Sequence, residues 1–207
     1  MSETVSAGLQ ASGRRALTKA ANRQAILDAA RRVFARLGFE ATTIRDIIRD
    51  TGLASGTFYN YFQSKEAVFQ ALEDDGVRRF RPLLRERLGN AKSFEDLVHG
   101  SLLAYFRFVA EEYSEAGPLA GIALRHGAAD TPETRAIFQE VRTAIEAAMA
   151  RGAAPRIDAD YFTAGAIGLA REVCARMLLR TPLDLEGAAN FCTLMLLGGA
   201  QSTASRG

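Results

Sequence analysis

The chain has 207 residues, 48% of them hydrophobic and 24% charged, with a formal net charge of +2. That is enough apolar material for a sizeable core. Two cysteines, Cys174 and Cys192, at no metal-ligand spacing argue against a disulfide-built or zinc-built scaffold, and the most apolar late segment, residues 191–200, is too short to span a bilayer.

Charge is unevenly placed. Residues 1–66 hold 10 Lys/Arg against 6 Asp/Glu, while residues 67–207 hold 16 against 18. A basic front end favours an anionic partner, nucleic acid ahead of membrane. The opening MSETVSAGLQASGRR lacks an apolar signal-type stretch. A soluble, cytoplasmic protein with two buried free thiols is the expectation.

In chain order, residues 1–17 are small and polar, without periodicity, and are expected to form a flexible basic tail. From Thr18, a possible cap, Ile26, Ala29, Ala30, Val33 and Leu37 recur at helical spacing. Gly38 should end that helix in the left-handed conformation, with Phe39 folding back on Phe34. Thr43 followed by Asp46 reads as a capping box. Ile44, Ile47 and Ile48 give a two-turn helix one apolar face, and Gly52 ends it. In the next stretch, SGTFYNYFQSKEAVF, Phe58 and Phe62 lie four apart and should face inward. Ser64 can cap a further helix, with Glu66 in its first turn and Ala67, Val68, Ala71 and Leu72 on its inner side.

Two short helices joined by a tight glycine-bearing turn are the helix-turn-helix pattern. Beyond residue 82 the helices lengthen. The spacing predicts helices over 93–112, with Ser93 and Asp96 as a capping box, then 118–127 and 132–151, the last opened by Thr131-Pro132 and closed by Gly152. Two more follow over 158–180 and 184–197. The chain reads as all-α, near nine helices. A helix-turn-helix unit over 18–66 precedes a helical bundle over 67–200. Residues 201–207 form a short tail.

Catalytic chemistry has no support. His99 and His126 have unrelated surroundings, and the chain holds no HExxH, GxSxG or phosphate-cradling glycine loop. No metal or cofactor is expected. The basic first third offers more. Ser55, Gly56 and Thr57 are small enough for a helix start to approach a major groove. Tyr59 and Tyr61 carry hydroxyls that can donate to phosphate oxygens. Asn60 can pair bidentately with adenine, and Arg45 can reach a phosphate or a guanine edge. Lys65 would meet the backbone as a point charge.

Residues 42–69, TTIRDIIRDTGLASGTFYNYFQSKEAVF, resemble the DNA-binding signature of TetR-family transcriptional regulators. The matching positions are Thr43, Gly52, the run Gly56-Thr57-Phe58-Tyr59-Asn60-Tyr61-Phe62, and Lys65. The resemblance implies a homodimer, usually a repressor, on a palindromic operator of double-stranded DNA. It also implies release by a small-molecule effector bound in the C-terminal domain. Tyr59 and Lys65 would then contact phosphate, Thr57 phosphate or base, and Tyr61 the backbone. Arg45, Ser55, Gly56 and Asn60 would approach base edges. Two positions depart from the family pattern. Ala54 stands where a capping residue is common, so Ser55 is either cap or reader. Thr51 stands where alanine is common.

For the effector half, the residue types nominate Phe106, Phe138, Met149, Phe162, Cys174 and Met177 as pocket lining. Arg107, His126, Arg171 and Arg176 are nominated as polar anchors. Arg171 sits among Gly168, Leu169, Ala170 and Val173, so an inward-pointing guanidinium would need a partner, which an anionic ligand could supply. Small residues in the last two long helices suit a close helix-helix dimer seam.

Overall fold

A computed structural model describes residues 2–116 and 130–204, with side chains at 13, 15–114 and 130–202. Among the described residues all regular structure is helical. There are eight helices: α1 (Ser2–Leu37), α2 (Ile44–Thr51), α3 (Ser55–Tyr59), α4 (Lys65–Asn90), α5 (Phe94–Ala116), α6 (Pro132–Ala150), α7 (Ala159–Met177) and α8 (Leu185–Ala204). The expected helix over 118–127, with His126, lies outside the described residues. The count of nine is therefore not reached among those described.

Contacts divide the chain into two units, Met1–Leu72 and Glu73–Gly207. The boundary falls inside α4, six residues beyond the expected one. Helix α4 is continuous through Pro82.

In the first unit the helix stops fall where the glycines predict. Gly38 and Gly52 both adopt positive φ, 79° and 67°. Gly38 N–H donates to Phe34 O at 2.8 Å. The Phe34 and Phe39 rings meet at 5.4 Å, and Phe69 of α4 closes the cluster at 4.9 Å from Phe39. Ile26, Leu27, Ala29, Ala30, Val33, Ile47, Phe58 and Val68 complete a closed core. One boundary differs strongly. Helix α1 starts at Ser2, not near Thr18. Residues 2–17 lack an apolar stripe, but their alanines, leucine, glutamine and arginines are good helix formers and no proline interrupts them.

In the second unit α5 packs on α8, α8 on α7 and α7 on α6. Leu97, Leu102, Phe106, Ile145, Cys174, Met177, Ala189 and Cys192 lie at the centre. Thr131 caps α6 in a capping box with Thr134. A row of arginines ties α4 to its neighbours. Arg79 forks onto Glu112 of α5, with Nη2 donating at 2.7 Å. Arg81 and Arg85 converge on Glu140 Oε1 of α6 at 2.7 and 2.9 Å through their Nε atoms. Burial alone would raise the Glu140 carboxyl, but the two guanidiniums outweigh it and hold the group below the usual range. These anchors flank Pro82, where α4 loses an internal hydrogen bond. Between α5 and α8, Thr193 Oγ1 donates to Ala189 O at 2.8 Å and lies 3.3 Å from His99 Nδ1. The hydroxyl proton is committed to the carbonyl, so the His99 contact has Nδ1–H as donor.

Candidate nucleic-acid interface

The site is built on two very short helices. Helix α2 has eight residues and α3 only five. Helices this short do not hold themselves together. Their caps and their buried side chains do.

Thr43 caps α2. Its Oγ1 accepts from Asp46 N–H at 3.3 Å and donates to Asp46 Oδ2 at 2.6 Å, while its own N–H donates to the same carboxylate at 3.0 Å. The Thr43 side chain and then its backbone N–H hold the Asp46 carboxyl below its ordinary value, with smaller help from Arg49 and Arg36. Thr43 is thus engaged within the protein. At the other end, Thr51 Oγ1 donates to Ile48 O at 2.8 Å and accepts from Leu53 N–H at 3.0 Å. Its hydroxyl stitches the Gly52 turn, a role the alanine common at this position could not fill. Arg32 of α1 grips Asp50 of α2 through Nε and Nη2 at 2.9 and 2.6 Å.

Helix α3 begins at Ser55 with Ala54 as its N-cap, and no side chain caps it. Ser55 is therefore a helical residue rather than the cap. It is exposed. The cost of the missing cap is about 1 kcal/mol, and packing offsets it. Phe58 and Phe62 are buried at 1% and 6% exposure, their rings 6.2 Å apart. Each buried ring contributes roughly 2–3 kcal/mol. Gln63 Nε2 donates to Tyr59 O at 3.1 Å and satisfies a carbonyl at the far end.

With Phe58 and Phe62 turned inward, the opposite side of α3 faces solvent. Ser55, Gly56, Asn60 and Tyr59 are exposed, Tyr59 at 48%, while Thr57 and Tyr61 are half-buried. The Tyr59 ring stands edge-on to Phe58 at 5.5 Å and 86°. Its ring is held on one side while much of the residue stays open to solvent. A Cβ added at Gly56 would meet nothing within 4 Å, and its φ is not positive. Nothing inside the protein requires glycine there. Arg45 is exposed at the start of α2.

Lys65 is placed otherwise than its spacing suggests. Its Nζ donates to Phe39 O at 2.9 Å and Glu40 O at 3.1 Å, and it lies 4.6 Å from the Phe39 ring centroid. Two of its three N–H bonds thus close the C-terminal end of α1. This tie links residues about 26 apart in sequence, and no local pattern announces it. The stitch at Thr51 and the grip of Gln63 on Tyr59 O are local, and their spacing was available as a signal.

The family profile described as "Bacterial regulatory proteins, tetR family" matches residues 26–72, the segment that carries α2, the turn, α3 and their supports. Residues 26–72 are thus similar to the TetR-family DNA-binding segment. The HTH-type transcriptional repressor KstR2 of Rhodococcus jostii is 34% identical over 84 residues, 39% of this chain and 41% of that protein. The HTH-type transcriptional repressor ComR of Escherichia coli is 32% identical over 103 residues, 50% of this chain and 48% of that protein. These matches span less than half of either relative. The fold is matched by the Bacillus subtilis transcriptional regulator FadR, solved with stearoyl-CoA, at a TM-score of 0.71. That likeness covers 85% of this chain and 98% of FadR at 18% identity, and so speaks for the fold.

In the second unit, Phe106, Met149, Phe162, Cys174 and Met177 share one apolar cluster. Phe106, Cys174 and Met177 are fully closed in it. Burial pushes the Cys174 thiol up to about 12 and the Cys192 thiol up to about 11, so both stay protonated. Phe138 is half-buried and outside that cluster. Arg107 points outward to Glu186 at 3.0 Å. Arg171 is half-buried and close enough to Tyr105 to act on its phenol. Burial raises that phenol well above its ordinary value, and Arg171 opposes the rise. Nearby in sequence, Ser101 Oγ is buried with no hydrogen-bond partner. Ser101 and Tyr105 were not nominated from sequence. Among the described residues no group of three or more His, Cys, Asp or Glu could hold a metal, and no helix is long and apolar enough to cross a membrane.

Proposed function

We propose that this chain is a dimeric transcriptional repressor that reads a palindromic DNA operator through α3 and is released by a small molecule held in its second unit. The observation that carries the DNA reading is the outer side of α3. A five-residue helix, locked from behind by Phe58 and Phe62, presents Ser55, Gly56, Tyr59 and Asn60 to solvent. Small residues lead into a groove, a hydroxyl meets phosphate and an amide pairs with a base. Arg45 adds a charged side chain from the start of α2. Thr57 and Tyr61 take the flanking backbone. Lys65 acts first by fixing the end of α1 and offers its remaining N–H to a phosphate.

Dimerisation is supported by what α7 and α8 leave uncovered. Tyr161 is 78% exposed and Leu194 74%, with Phe191 and Met195 more than half exposed. Ala164, Gly165 and Gly168 lie exposed on α7 and let another helix approach closely. A two-fold pair of such faces buries them and doubles the reading heads, which is why the operator is an inverted repeat. An effector site is supported by the part-buried Arg171 beside Tyr105 and by the unsatisfied Ser101 Oγ. A ligand combining an apolar body with an anionic group suits that lining. The stearoyl-CoA carried by the FadR structure is a ligand of that class.

The test is selection from a randomised duplex library with the purified protein. Enrichment of an inverted repeat is expected. Recovery of no sequence above background would end the repressor reading.

A further inference from the structure

The N-terminal half of α1 carries a charge pattern that the helix-turn-helix leaves unused. Between Glu3 and Asp28 stand four cations, Arg14, Arg15, Lys19 and Arg23, and no carboxylate. Farther along the unit, three of the five arginines have acidic partners. Arg31 meets Asp28 at 3.3 Å, Arg32 meets Asp50 at 2.6 Å and Arg49 meets Asp46 at 4.0 Å. Among the described residues, Arg15, Lys19 and Arg23 pair with no carboxylate.

Their spacing of four puts these three on one stripe of the helix. At 1.5 Å per residue the stripe is about 12 Å long. Residues 15–21 are exposed, and the closed core begins only at Ile26. The stripe-bearing segment therefore stands beyond the packed part of the unit. At its inner end the Arg23 guanidinium lies over the Phe62 ring, 5.5 Å from the centroid. Phe62 directly follows Tyr59, Asn60 and Tyr61, so the stripe starts beside the end of the reading segment.

We propose that Arg15, Lys19 and Arg23 form a second contact surface, a phosphate clamp that α1 lays along the backbone of the DNA duplex. The proposal rests on the DNA-binding reading above and extends it to a part of the chain outside the helix-turn-helix. Each strand of a duplex presents one charge per about 3.4 Å of axis, so about 12 Å of stripe spans about three to four phosphates of one backbone. The residue types favour this partner over others. Residues 13–25 contain no aromatic ring on which a single strand could stack, and Leu17 is the one large apolar side chain there for a lipid surface to hold.

Because phosphate contacts ignore sequence, a random-sequence duplex of about 30 base pairs suffices as probe. Its binding is followed by fluorescence anisotropy across a series of salt concentrations. Each phosphate contact contributes about 0.9 to the slope of log K against log salt. The double variant Arg15→Gln/Lys19→Gln should flatten the slope by about 1.8, and adding Arg23→Gln should bring the loss to about 2.7. The double variant leaves the Arg23–Phe62 contact in place, so its thermal unfolding should match the wild type. A charge-matched control, Arg151→Gln/Arg156→Gln/Arg176→Gln, removes three exposed arginines of the second unit and should leave the slope alone. A wild type that binds while the double variant keeps its slope would overturn the clamp and leave the DNA reading standing. An equal loss in the control would also overturn it, since net charge would then explain the effect. A wild type that binds no duplex would overturn both.

Discussion

Gly56 separates folding from function at the scale of one residue. An added methyl meets nothing in the protein, and the backbone there suits any L residue. Gly56→Ala should therefore keep or raise the melting temperature, by up to about 1 kcal/mol of helix propensity. If the α3 backbone approaches DNA closely, the same substitution should weaken operator binding at least tenfold. Unchanged binding in a gel-shift titration would place Gly56 away from the interface. Asp46 gives a different kind of prediction. Its carboxyl is held below the ordinary 3.8. A depressed folded-state value stabilises the fold above that pH and loses its contribution as the pH falls through the lowered value. Acid melting curves of Asp46→Asn should lack that part of the decline and start from a lower plateau at neutral pH. Parallel wild-type and variant curves down to pH 2 would contradict the capping role.

At the scale of elements, Lys65 joins α4 to the end of α1. Lys65→Met should cost roughly 1–3 kcal/mol in chemical denaturation, because it strands the carbonyls of Phe39 and Glu40. It should also reduce DNA affinity, through the misplaced end of α1 as well as through lost charge. A variant with wild-type stability would leave the ammonium a phosphate contact only. The stops at Gly38, Gly52 and Gly152, the Thr43–Asp46 box and the inward pair Phe58 and Phe62 were all legible in the sequence. Each is written within a few residues by a positive-φ requirement, a cap spacing or a helical period. What was not legible depends on distance or on the absence of a pattern. The Lys65 tie crosses from one helix to another. The first half of α1 has helix-forming residues but no apolar stripe, and it had no core to declare. Helix α8 continues past the expected end at 197, through Gly198 and Gly199, which keep ordinary φ. The nominated pocket residues were chosen by type, and the structure puts Phe106, Cys174 and Met177 in closed core while Arg107 turns outward to Glu186.

At the scale of the whole molecule, two claims support each other. The uncovered face of α7 and α8 is proposed to bring two copies together, and the outer side of α3 to read one half-site in each. Leu194→Glu puts a charge in the middle of that face and should shift sedimentation from dimer to monomer at micromolar concentration. A monomeric wild type would contradict the dimer. The central claim is the reading by α3, and Asn60 tests it most directly. Once an operator has been selected, the affinity of wild type and Asn60→Ala is measured for every single-base change in it. The account predicts that Asn60→Ala loses discrimination at one position per half-site, worth roughly 1–3 kcal/mol, with the salt slope unchanged. A loss spread evenly over all positions, or no loss at all, would contradict it.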